Sequence, residues 1–138
     1  MTVIRTPKTG DGKGREGEMK IYTGYFAKIG RYEAAGLTPI SIARWNPTWF
    51  TGECCPALAP RATLLDAFKH GTVSESEFEK EYMRELDELD VKKIVEDAAG
   101  DRDVVLCCFE KSSDFCHRHI LALYLRRNYG MQIYEYVK

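Results

Sequence analysis

The stretch Asp103–Glu110, DVVLCCFE, decides how the rest of the chain is read. From Asp103 to Phe109 it is a short, β-branched, apolar run carrying two cysteines, the pattern of a strand buried on both faces. Glu110 ends it. Ser112, Ser113 and Asp114 then offer N-caps for a helix whose first turn carries Phe115, Cys116, His117 and Arg118. A strand, a short turn and a helix N-terminus form the usual ligand corner of an open α/β sheet. The helix is read through Tyr129, with Ile120, Leu121, Tyr124 and Leu125 as its buried stripe and Gly130 as its stop. Met131–Val137 returns as a strand. Such a βαβ unit requires a right-handed crossover and parallel pairing.

Upstream, Met19–Thr23 reads as the first core strand, with Tyr22, Thr23, Gly24, Tyr25 and Phe26 at or just past its carboxyl end. Ala27–Ala35 reads as a short helix closed by Gly36, and Pro39–Ala43 as a second strand that stops at Arg44. Trp45–Pro60 holds two Trp, three Pro and Cys54-Cys55 without a period. A loop of that length is either functional or an Ω-like loop packing its own aromatics. Three helices follow. Arg61–His70 presents Leu64, Leu65 and Phe68 on one face. Ser74 and Glu77 have capping-box spacing ahead of the stripe Phe78, Tyr82, Leu86 and Leu89. Asp90 caps a short helix through Ala99. The acidic residues of these helices read as a solvated face.

The chain is one domain in size, 138 residues with 44% hydrophobic and 30% charged side chains. Its 20 basic and 21 acidic groups leave a net charge of −1, which argues against purely electrostatic binding to a nucleic-acid backbone. No run reaches the ~18 apolar residues of a membrane span, and the N-terminus lacks a signal-peptide apolar region. The five cysteines are odd in number and tightly clustered, unlike a secreted disulfide framework, so a reducing cytoplasm is expected. Gly12–Gly17 spells G-x-G-x-x-G, but a strand-like segment follows where the dinucleotide fingerprint needs a helix. Gly14 after Lys13 also rules out a Walker motif. Residues 1–18 are therefore expected to be a flexible Gly- and Lys-rich segment ahead of a single α/β domain, 19–138. Its sheet should be mostly parallel, with roughly four or five strands.

In such a sheet the site lies beyond the carboxyl ends of the strands. Those ends gather Tyr22, Thr23 and Tyr25, then Arg44, then Cys108 and Glu110, with Cys116, His117 and Arg118 from the helix that follows. Cys108 and Glu110 share a face if the strand persists that far. Cys116 in a first helical turn would meet free N–H groups and the positive dipole end, which favours thiolate. Arg44 and Arg118 are placed to meet an anion. Three readings stand for Cys108 and Cys116: nucleophilic or redox thiols, soft metal ligands together with His117, or packing. The metal reading lacks the C-x₂₋₄-C spacing of structural zinc. On a helix Cys116 and His117 would point about 100° apart, against their acting as a direct Cys/His pair. Cys107 reads as a core hydrophobe and His119 as a surface or packing residue. His70 suits a helix C-terminus.

Leu106-Cys107-Cys108-Phe109-Glu110 followed by Phe115-Cys116-His117-Arg118-His119 resembles the signature of the family known as domain of unknown function 488. That signature is a strand ending in Cys-x-Glu, a short loop, and Cys-His-Arg opening a helix. Ile21–Lys28, Pro39–Arg44, Pro47 and Leu58-Ala59-Pro60 are similar to the family's other blocks, in order, so the resemblance runs from Met19 to the end. It implies a Rossmann-like three-layer fold and a site built from Arg44, Cys108, Glu110, Cys116, His117 and Arg118. It implies no activity. Cys107 is an additional cysteine.

The expected function is a pocket for a small anionic ligand, a nucleotide or phosphate-bearing compound, serving a hydrolase or transferase. The helix N-terminus, Arg44 and Arg118 would hold the anion, with Tyr25 beside them. Glu110 would act as acid/base, and Cys108 or Cys116 as nucleophile, with His117 in the same catalytic group. The alternatives are a nucleic-acid-associated module stacking bases on Trp45, Trp49 and Phe50, and a Cys/His metal site. The sequence designates no cofactor and no oligomeric state.

Overall fold

Val104–Cys108 (β4) is buried at every position because it has a strand on each edge and a helical or aromatic layer on each face. The computed structural model describes residues 20–110 and 114–137. Within them the elements run β1 Ile21–Tyr25, a 3₁₀ turn Phe26–Lys28, α1 Ile29–Ala34, β2 Thr38–Ser41 and β3 Glu53–Cys54. A second 3₁₀ turn, Pro56–Leu58, leads to α2 Ala62–Lys69, α3 Glu75–Asp87 and α4 Val91–Ala99. After β4 come α5 His117–Tyr129 and β5 Ile133–Glu135. The Gly-rich segment 1–18 and the cap candidates Ser112 and Ser113 lie outside the described residues.

The five described strands form one wholly parallel sheet in the order β3-β2-β4-β1-β5. The steps β1 to β2 and β4 to β5 travel in opposite directions along that order. Right-handed crossovers must then place α1 and α5 on opposite faces. The packing agrees. Ile21, Ile40, Val104, Leu106 and Ile133 meet the helices from α2 to α5 on one side. Val105 and Cys107 meet Phe26, Tyr32 and Leu37 on the other. The α/β fold expected from the sequence is the one observed.

Local signals explain the element ends. Ser74 accepts the Glu77 N–H at 3.1 Å while the Glu77 carboxylate accepts the Ser74 N–H at 2.8 Å, a complete capping box. Behind it Phe78, Tyr82 and Leu86 are buried, and the Tyr82 hydroxyl donates to the Leu58 carbonyl at 2.5 Å. Leu89, expected in that stripe, falls beyond the helix end and is exposed. Gly130 closes α5 in the left-handed region, at φ 68°, where a Cβ costs energy. Among the described residues the first strand runs Ile21–Tyr25, ending two residues later than the sequence suggests, and Met19 lies outside the described residues. Lys20 is instead tied to Asp103, its N–H donating to the carboxylate at 2.9 Å.

Candidate functional site

The carboxyl ends of β1 and β4 are neighbours, with Tyr25 and Cys108 as register partners. Their onward connections go to opposite faces, α1 from β1 and α5 from β4. This is the switch point at which an open α/β sheet leaves a crevice. A cleft of about 690 Å³ opens beside it, lined in part by Arg44, Lys69, Cys108, Phe109, Glu110 and His117.

Cys116 is where the structure departs most from the sequence reading. It is the N-cap of α5 rather than part of its first turn, with an extended backbone (φ −156°, ψ 146°), and its side chain makes no capping bond. Asp114 therefore does not cap this helix. The 100° helical offset between Cys116 and His117 does not apply, since only His117 is helical. The extended N-cap turns the Cys116 sulfur inward, where it is in bonding contact with the Cys108 sulfur across a Cα separation of 7.6 Å. The donor atoms of Cys108, Cys116 and His117 lie within 4.8 Å of one another, and all three residues are buried.

His117 and Arg118 face different partners. His117 Nε2 lies 2.8 Å from the Ile42 carbonyl just past β2. A carbonyl only accepts, so Nε2 carries the proton and Nδ1 keeps its lone pair. Burial foremost, with the nearby Arg118 and Arg44 charges adding to it, pushes the imidazole down to about 4, so it is neutral at ordinary pH.

Arg118 was expected to meet an anion directly, but it is 0% exposed and its guanidinium is engaged inside the protein. Nε and Nη2 donate to the two Glu135 oxygens at 3.0 and 2.8 Å, and Nη1 donates to the Cys108 sulfur at 3.2 Å. The Tyr25 ring lies under the guanidinium carbon at 5.6 Å, and Thr23 donates to Glu135 at 2.7 Å. Tyr25 thus packs against Arg118 from the β1 side.

Arg44 lies on the cleft wall and is half-buried. Its Nε and Nη2 donate to the Ala59 and Pro60 carbonyls at 3.0–3.2 Å, so it also ties the end of β2 to the far end of the long loop. Glu110 is exposed on the cleft wall past the end of β4. The strand stops at Cys108, so the shared-face argument for Cys108 and Glu110 does not hold, although both border the cleft. Cys54 is exposed and Cys55 half-buried, and neither is a lining residue of the cleft.

Two parts of the site went unread in the sequence. Glu135, the partner of Arg118, sits on β5 opposite Thr23, and the sole hint was an acid placed between Tyr134 and Tyr136 in a core strand. The α2 wall of Leu65, Asp66, Phe68 and Lys69 is set by how the helix crosses the sheet, which its own apolar stripe does not disclose.

The family profile described as "Active DUF488-N3 subclade" matches residues 31–129. That span contains Arg44, Cys108, Glu110, Cys116, His117 and Arg118, whereas Tyr25 and Glu135 fall outside it. No curated protein and no solved structure matches the chain.

Proposed function

The chain belongs to the domain-of-unknown-function 488 family, and from that premise we propose that the cleft carries out thiol-dependent chemistry on a small anionic ligand, a nucleotide or phosphate-bearing compound. The supporting observation is the Arg118 N–H donated to the Cys108 sulfur at 3.2 Å, from a guanidinium that Glu135 clamps in place. Once the Cys108–Cys116 sulfur bond is reduced, a fixed, desolvated cation beside the freed Cys108 favours its thiolate, the nucleophilic form.

In this reading Cys108 attacks the electrophilic centre and Glu110, at the open side, gives or takes the leaving-group proton. Arg44 and Lys69 attract the anion, while Trp45, Phe68 and Phe109 supply apolar surface for a planar portion. Arg118 acts on the thiol and holds no ligand. The outcome is hydrolysis or group transfer, according to whether water or a second substrate resolves the thiol adduct. A reducing cytoplasm is the compartment we propose, since it keeps the thiol pair available.

The test is alkylation of Cys108 by iodoacetamide, mapped by mass spectrometry, across a panel of nucleotides and phosphate esters. A member of the panel should slow alkylation and raise the melting temperature, and Arg44→Ala should remove both effects. Equal alkylation and melting throughout the panel would reject the reading.

A second reading rests on Trp45 and Trp49, which are 57% and 58% exposed. Exposed tryptophans stack on unpaired bases, so a module for single-stranded nucleic acid is the alternative. Retention on single-stranded DNA, lost at high salt and in Trp45→Ala, would favour it.

A further inference from the structure

We infer that Cys108, Cys116 and His117 form a site for one soft divalent cation of the zinc class, and that filling it withdraws Cys108 from thiol chemistry. This goes beyond the thiol reading and does not depend on it.

The three donor atoms already lie within 4.8 Å of one another in buried surroundings. Zinc sits about 2.3 Å from sulfur and about 2.0 Å from imidazole nitrogen, so ligands of one ion stand at most about 4.6 Å apart. The two sulfurs, in bonding contact as they stand, part on reduction to the about 3.8 Å that two zinc–sulfur bonds at a tetrahedral angle require, while His117 closes slightly. The backbone supplies the room: the Cys108 and Cys116 Cα atoms are 7.6 Å apart. A disulfide prefers about 4.4–6.8 Å between Cα atoms. An ion seated between the sulfurs uses that extra separation.

His117 is held as a ligand would be. Its Nε2–H donates to the Ile42 carbonyl at 2.8 Å, the outer contact that fixes a metal-binding histidine and leaves Nδ1 as the donor. The charges also balance. Two thiolates and a neutral imidazole cancel a divalent ion, and Arg118 beside them is already neutralised by Glu135. A thiol reductant first opens the Cys108–Cys116 sulfur bond by a two-electron reduction, and binding then exchanges the two thiol protons for the ion with no further change of oxidation state. Three protein ligands leave a fourth position for water or a ligand group. Cys108 and His117 both line the cleft, so that position is reachable from solvent. This matches the open, three-ligand kind of zinc site and accounts for the missing structural-zinc spacing.

The test uses the full chain, reduced and stripped with chelator, then titrated with Co²⁺ alone and afterwards with Zn²⁺. One equivalent of Co²⁺ should give thiolate-to-cobalt charge-transfer absorption that Zn²⁺ abolishes. Cys116→Ser and His117→Gln should each weaken binding beyond the about 10–100-fold that an outer partner is worth. Cys54→Ser should leave it unchanged. Because the first two positions are buried, circular dichroism accompanies each variant. A measurement on the unaltered chain stands beside them: Zn²⁺ should slow alkylation of Cys108 and raise the melting temperature. Absence of cobalt–thiolate absorption in the reduced chain would overturn the inference. So would a signal that survives in folded Cys116→Ser or disappears in Cys54→Ser. Metal uptake is read without substrate, so its failure leaves the thiol reading standing, and a null ligand panel leaves the metal site standing.

Discussion

Arg118 and Glu135 form a two-point ion pair between α5 and β5, with Nε–Oε1 at 3.0 Å and Nη2–Oε2 at 2.8 Å. The arginine is fully buried and the glutamate side chain is 16% exposed, so each charge depends on the other for solvation. Removing one partner strands the other. Arg118→Met and Glu135→Gln should each cost about 3–5 kcal/mol in urea unfolding, whereas the double variant Arg118→Met/Glu135→Leu should recover much of the loss. Single variants that lose less than about 1 kcal/mol would mean that water reaches the pair.

The β1 backbone passes so close to Tyr32 that a Cβ on Gly24 would run into the phenol ring. The Tyr32 hydroxyl also accepts the Tyr25 N–H at 3.1 Å, so the ring cannot move away without losing that bond. Gly24→Ala should destabilise the fold by about 1–3 kcal/mol, the usual cost of overpacking. Adding Tyr32→Leu should restore part of it, because the obstructing ring is then gone. A melting temperature unchanged by Gly24→Ala would show that this side of the sheet is loosely packed.

What could be read in advance divides along physical lines. The strand around Val105 and Leu106 was legible because burial on both faces leaves an unbroken apolar run. Ser74 and Gly130 announced their helix ends through local bonds or local backbone preference. Glu53–Cys54 was not legible, since two residues are too few for any period. The site was legible as a set of residues but not as a set of roles. In the sequence Arg118 reads as a cation placed to meet an anion, because its counter-charge arrives 17 positions later, on a strand across the sheet. The sequence places Cys116 in the first helical turn, and a two-residue shift of the helix start, from Phe115 to His117, makes it the N-cap and changes where its sulfur points. Boundaries of that kind depend on tertiary packing rather than propensity.

Alkaline conditions should expose the buried phenol of Tyr32. Burial raises it from 10.0 to about 12, against the lowering effect of the Tyr25 N–H. Between those values the folded chain holds a proton that the unfolded chain has released, so stability falls as pH rises from 10 towards 12. The two-unit shift corresponds to a loss on the order of 2–3 kcal/mol at the upper end. Urea midpoints at pH 8 and 11 should therefore differ, and Tyr32→Phe should reduce that difference by its own share, since burial also raises Cys107, Tyr82 and Tyr124. A slope that Tyr32→Phe leaves unchanged would assign the alkaline sensitivity to other groups.

Cys107 and Cys54 should mark opposite extremes of thiol reactivity. Cys54 is exposed, while Cys107 is buried within the sheet and raised from 9.0 to about 12, chiefly by burial. At pH 8 the folded chain then carries a Cys107 thiolate fraction of about one in ten thousand, compared with about one in ten for an ordinary thiol of that kind. Contact is also blocked, because β1 and β2 flank β4 on both sides. Iodoacetamide should modify Cys54 within minutes and leave Cys107 intact until the chain opens globally. The Cys107 rate should accordingly rise with urea in proportion to the unfolded population. If Cys107 instead reacts in the native state at a rate indifferent to urea, β4 is reached through a local opening, and the buried thiol pair next to it is accessible by the same route.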